Sequence, residues 1–112
     1  MIHDEICTYE VAKLAKEKGF DVPTAKNYRH ENGTTCNAPT QSLLQRWLRE
    51  EKGVVFGISP MQEMDCDYLG WCATIYKVDE NGYGLSWQEE LYYNTYELAL
   101  ENALKYALEN LV

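Results

Sequence analysis

The stretch Gly70-Trp71-Cys72-Ala73-Thr74-Ile75-Tyr76-Lys77-Val78-Asp79, followed by Glu80-Asn81-Gly82 and by Tyr83-Gly84-Leu85-Ser86-Trp87-Gln88-Glu89-Glu90-Leu91-Tyr92, decides the fold. Two runs rich in aromatic and branched residues flank an Asn-Gly pair, the strongest short-range signal for an antiparallel hairpin. Turn length then sets which faces meet. A two-residue turn pairs Tyr76 with Trp87 and Ile75 with Gln88. A three-residue turn with Gly82 in a G1 bulge pairs Ile75 with Trp87 and Trp71 with Leu91. The second register gathers more apolar area on one face, so Trp71, Ala73, Ile75, Leu85, Trp87 and Leu91 are the expected core residues. The opposite face carries Tyr76, Ser86, Gln88, Glu90 and Tyr92, half aromatic and half polar.

C-terminal to the hairpin lies the clearest helix. Asn94 or Thr95 caps it, Glu97 suits the first turn, and Tyr96, Ala99, Leu100, Ala103, Leu104, Ala107, Leu108 and Leu111 share one face. N-terminal to it, Val54-Val55-Phe56-Gly57-Ile58 reads as an inner strand closed by Pro60. A helix precedes that strand, from the N-cap Thr40 to Lys52, with Leu43, Leu44, Trp47 and Leu48 inward and Gly53 as its stop. Ala25 to His30 and Thr34 to Asn37 form a short polar hairpin around Glu31-Asn32-Gly33. The first helix starts at the N-cap Thr8, carries Val11, Leu14 and Ala15 inward, and ends in a Schellman-type stop at Gly19 with Phe20 folding back. The expected architecture is a single α+β domain over residues 1–112. It has the order α-β-β-α-β-β-β-α and one mainly antiparallel sheet with two to three helices packed on it.

Composition narrows function. The 112 residues are 46% hydrophobic and 25% charged, ordinary globular values. Ten Lys and Arg against 18 Asp and Glu give a net charge of −8, so no direct nucleic-acid binding is expected, because counterion release needs a cationic footprint. The charge is unevenly placed. Residues 1–53 are neutral, whereas residues 54–112 hold Lys77 and Lys105 as their only basic side chains. All tyrosines except Tyr9 and Tyr28 lie in that acidic half too. An acidic, tyrosine-rich segment suits a protein partner of cationic character. The N-terminus reads as no signal peptide and no stretch reaches the length of a membrane span, so the expected location is cytoplasmic, with no membrane contact. Cys7, Cys36, Cys66 and Cys72 are then read as free thiols.

Catalytic constellations are weak. No close Cys pair fits structural zinc, and Glu63, Asp65 and Asp67 lack the glycine and closing Glu of a calcium loop. Cys36 and His30 sit on paired strands, but no oxyanion-forming loop accompanies them. No glycine-rich phosphate loop exists. The expectation is therefore no enzyme, no cofactor and no metal. One cationic feature remains: Arg46 and Arg49 on the exposed side of the second helix, which with a nearby tyrosine would suit a nucleotide or another small anion.

The stretches Asn37 to Gly53 (NAPTQSLLQRWLREEKG) and Tyr93 to Leu108 (YNTYELALENALKYAL), with the "ENG" hairpin and a Gly-Trp strand, resemble a small uncharacterised protein family of Bacteroides-type gut bacteria and their phages and mobile elements. The resemblance spans the chain from about Glu10 onward. It implies a small bacterial or phage accessory protein and assigns no catalytic or ligand residue. The expected function is a non-enzymatic macromolecule-binding module that acts on a host protein, in one version by mimicking nucleic-acid charge. Its contact residues are Tyr76, Tyr83, Glu89, Glu90 and Tyr92. The alternatives are the small-molecule or nucleotide site at Arg46 and Arg49, and a homo-oligomeric structural protein, a homodimer formed through a sheet edge.

Overall fold

A computed structural model describes residues 5–62, 69–78, 84–88 and 93–112. The elements run α1 (Tyr9–Glu17), β1 (Asn27–Arg29), β2 (Thr35–Asn37), α2 (Gln41–Lys52), β3 (Val54–Gln62), β4 (Leu69–Val78), β5 (Gly84–Gln88) and α3 (Tyr96–Asn110).

Each helix begins on a threonine whose hydroxyl accepts an orphan backbone N–H. Thr8 takes Val11, Thr40 takes Leu43 at 3.1 Å, and Thr95 takes Leu98 at 3.0 Å. The α1 terminus is a complete Schellman motif. Gly19 adopts φ 103°, its N–H reaches Lys16 O, and the Phe20 N–H reaches Ala15 O at 2.9 Å. That geometry folds Phe20 into the core, edge-on to Trp47 with ring centroids 5.4 Å apart. Between β1 and β2 the His30 N–H meets Thr34 O at 2.7 Å. Gly33, at φ 87°, closes a three-residue turn that the Asn32 carboxamide braces through the Thr34 N–H and hydroxyl.

The strands form two separate antiparallel sheets, β1-β2 and β3-β4-β5, in place of the single sheet expected. The physical reason lies in the first hairpin. Its strands have three residues each and are exposed at Asn27, Arg29 and Thr35, so it has no apolar face with which to extend a sheet. It docks instead on α1 through buried Cys36 and half-buried Tyr28. Helix α1 packs in turn on α3, and α3 lies on β4 and β3.

In the larger sheet β4 is central. The register pairs Phe56 with Ile75 and Ile75 with Trp87, as the three-residue turn predicts. The expected pairing of Trp71 with Leu91 does not form. Trp71 and Tyr93 exchange both backbone hydrogen bonds at 2.8 Å, so the register changes by two along this pairing. Leu91 and the Glu80-Asn81-Gly82 turn lie outside the described residues. β3 is an edge strand rather than an inner one, and it runs through Pro60 to Gln62. The Val78 N–H bonds Gly53 O. By antiparallel alternation, Val55, Gly57 and Ser59 then bond β4, whereas the backbone groups of Val54, Phe56, Ile58 and Pro60 point away from it. Proline lacks an N–H, and at an outward-facing edge position none is required.

Helices cover one face of this sheet. Val54, Phe56, Ala73 and Ile75 point into the core beneath Leu100, Leu104 and Leu108 of α3 and Leu44 and Leu48 of α2. Val55, Tyr76 and Val78 point the other way and are exposed. Tyr96, expected to face inward, is 40% exposed as the first residue of α3, where its ring stands edge-on to half-buried Trp71.

Candidate functional site: the groove between α1 and the first hairpin

A hollow of about 1060 Å³ lies between α1 and the β1-β2 hairpin. Helical spacing places Tyr9, Lys13, Lys16 and Glu17 on one side of α1, at i, i+4, i+7 and i+8. Strand alternation places Tyr28 and His30 on one face of the hairpin, and Arg29, Glu31, Asn32 and Thr34 complete the rim.

Hydrogen bonds hold the three aromatic rings. The Tyr9 hydroxyl and His30 Nδ1 are 2.6 Å apart, and the Tyr28 hydroxyl donates to the Cys7 carbonyl at 2.5 Å. The Tyr9 ring meets both others edge-on, at 5.7 Å from Tyr28 and 5.5 Å from His30. Burial, then the neighbouring Cys7 and Glu101, raises the Tyr28 phenol pKa above its ordinary value. Lys16 donates to the Thr35 carbonyl at 3.0 Å. Lys13, Arg29, Glu17 and Glu31 make no ion pair among the described residues. The groove thus offers two unpaired cations, two unpaired carboxylates and a prearranged aromatic wall.

Neither Cys7 nor Cys36 is among the residues that line the groove. Cys7 is fully buried, and burial, then Glu101 and Glu5, pushes its thiol far above the usual range. Cys36 pairs with Tyr28 across the ladder, while His30 Nδ1 is engaged by Tyr9. No hydrogen bond joins Cys36 and His30, the pair considered from sequence. No cluster of three His, Cys, Asp or Glu suited to a metal occurs among the described residues, and no described helix is long and apolar enough to cross a membrane. Cys66 and the acidic loop residues Glu63, Asp65 and Asp67 lie outside the described residues.

The other sequence-derived candidates sit elsewhere. Tyr76 is 46% exposed on the helix-free face of the larger sheet. Tyr83, Glu89, Glu90 and Tyr92 lie outside the described residues. Arg46 is paired with Glu50 at 3.0 Å on the exposed side of α2, and Arg49 is exposed on the same helix. Neither lines the groove, and no tyrosine ring contact accompanies them among the described residues. Sequence reasoning missed Tyr9 and Tyr28 because they lie in the neutral half. The available signal was the spacing of Tyr9 with Lys13 and Lys16 on α1.

No protein-family model, no curated protein and no solved structure matches this chain.

Proposed function

We propose that this protein is a non-enzymatic binding module that receives a polypeptide segment of another protein in the groove between α1 and the first hairpin. One observation carries the reading: the Tyr9 ring, fixed by His30 and set against Tyr28, stands beside the unpaired Lys13 and Arg29. Tyrosine and arginine are the side chains that anchor protein interfaces, and a prearranged ring loses little entropy on binding. The mixed signs matter too. Glu17 and Glu31 repel a phosphate at the same place where Lys13 and Arg29 attract it, whereas a peptide carrying both signs can satisfy all four.

Selection of a displayed random-peptide library on the wild-type protein, followed by titration of the recovered peptides, tests this reading. Tyr9→Ala and the double variant Lys13→Glu/Arg29→Glu should each weaken binding at least about tenfold, which is about 1.4 kcal/mol. Peptides that bind both variants as tightly as the wild type overturn the assignment. A thermal shift with nucleotides that disappears in Tyr9→Ala would replace the peptide with a nucleotide.

A further inference from the structure

We propose, resting on the groove's reading as a peptide site, that His30 sets the charge the groove accepts: proton uptake by His30 turns it from a mixed-sign segment toward an acidic one. His30 is half-buried in the groove wall, its Nδ1 2.6 Å from the Tyr9 hydroxyl and its ring edge-on to the Tyr9 ring. Between a phenol and a neutral imidazole, the phenol is the stronger acid and the imidazole nitrogen the stronger base. The Tyr9 hydroxyl therefore donates to Nδ1, and the ring proton of His30 sits on Nε2. Histidine gains its second proton as pH falls from about 8 to about 5. That proton goes to Nδ1, the one nitrogen with a free lone pair, and the hydrogen bond reverses: Nδ1–H donates and the Tyr9 oxygen accepts. The rings keep their places, because the same oxygen–nitrogen pair serves both directions. The groove meanwhile gains a positive charge, and the Tyr9 O–H is released from His30 as a donor for an occupant.

The surrounding charges make that one proton count. From α1, Lys13 and Glu17 line the hollow unpaired, and Lys16 is engaged with the Thr35 carbonyl. From the hairpin, Arg29 and Glu31 flank His30 in the chain and line the same hollow. Other ionisable groups nearby are committed elsewhere. The Tyr28 hydroxyl donates to the Cys7 carbonyl, Glu10 pairs with Lys105, and Glu101 of α3 accepts from Thr8 and Gln41. From β2, Cys36 stands opposite Tyr28 and does not line the hollow. Three cations and two carboxylates thus give the lining a net +1 while His30 is neutral and +2 once it is protonated. The added charge and the released hydroxyl both favour carboxylates over ammonium or guanidinium groups in the occupant. By linkage, an acidic occupant favours the proton on His30 as strongly as the proton favours the occupant.

Selection of a displayed random-peptide library at about pH 5.5 and again at about pH 7.5, on the wild type and on His30→Gln, tests the proposal. Counted from their Asp, Glu, Lys and Arg, the peptides recovered by the wild type should be more acidic at the lower pH. An acidic peptide should bind about fivefold tighter there, the effect of one unit charge at contact distance in water. His30→Gln, which cannot titrate, should recover peptides of the same charge at both. A second measurement needs no partner: a long-range proton–nitrogen NMR correlation on the wild type reads each imidazole nitrogen. It should find His30 Nδ1 without a proton at about pH 8 and both nitrogens protonated at about pH 5. Peptides whose charge ignores pH, or follows it equally in His30→Gln, overturn the proposal and leave the peptide reading standing. A neutral His30 with its proton on Nδ1 does the same. Recovery of no peptide at either pH overturns both.

Discussion

At the residue scale, Cys7 and Tyr28 show how a local environment becomes a measurable property. Tyr28 donates to the backbone carbonyl of Cys7, and burial raises the pKa of both groups. Both are neutral when protonated, so below the ordinary thiol pKa of about 9 folded and unfolded chains hold the same protons. As pH rises past that value the unfolded chain releases the Cys7 proton while the folded one retains it, and stability falls. Urea denaturation at rising pH should therefore show an alkaline loss that Cys7→Ala flattens. An alkaline limb as steep in the variant would show that other groups cause it. Lys105 is shifted in the same direction for a different reason: Glu10, hydrogen-bonded at 2.9 Å, raises its pKa by favouring the charged ammonium. None of these pairings was visible in the sequence, because Cys7 and Tyr28 lie 21 positions apart and neither sits in a recognisable motif.

At the element scale the local signals carried most of the information. Thr8, Thr40 and Thr95 cap their helices, Asn32-Gly33 closes a hairpin, and Gly19 and Gly53 end helices in left-handed backbone, all legible because capping and turn chemistry depend on neighbours a few residues away. Gly53 is the most constrained. It holds φ 68°, its carbonyl accepts the Val78 N–H, and a Cβ there would stand 3.2 Å from the Val78 carbonyl oxygen. Gly53→Ala should cost about 1–2 kcal/mol from the left-handed backbone alone. Gly84→Ala, whose Cβ would stand 3.9 Å from the nearest backbone oxygen, serves as the control and should change the denaturation midpoint far less. The edge position of β3 was not legible. A continuous apolar run describes a buried strand well, but here Val54 and Phe56 face the helices while Val55 is exposed, and Pro60 marks the open side only once the register is known.

Across the whole molecule, α3 is the hub, packing on α1, α2, β3 and β4. Its Glu101 joins the starts of the two other helices. One carboxylate oxygen accepts from the Thr8 N–H and hydroxyl, each at 3.1 Å, and the other accepts from Gln41 Nε2 at 3.0 Å. Gln41 is 4% exposed and also donates to the Glu97 carbonyl at 2.8 Å, so α3 accepts both hydrogen bonds from its buried amide nitrogen. Facing two helix N-termini, the carboxylate also meets their positive dipole ends. Glu101→Ala should destabilise the fold by about 1–3 kcal/mol, because it leaves Gln41 short of an acceptor. A double-mutant cycle with Gln41→Ala should be non-additive. Additive losses would show that the two side chains act independently. Lys77 contributes a second long-range tie by donating to the Leu111 carbonyl at the C-terminus of α3, so both basic residues of the acidic half serve internal contacts.

The sequence by itself determined the helices and their caps, the first hairpin turn, the Ile75–Trp87 register and the neutral and acidic halves, since each depends on periodicity or on residues close in the chain. Tertiary structure alone decided that the strands divide into two sheets, that β3 is an edge, and that Tyr9, Tyr28 and His30 converge on one groove. Those outcomes depend on which surfaces find apolar cover. The polar first hairpin could gain cover only from α1, and no local pattern encodes that choice.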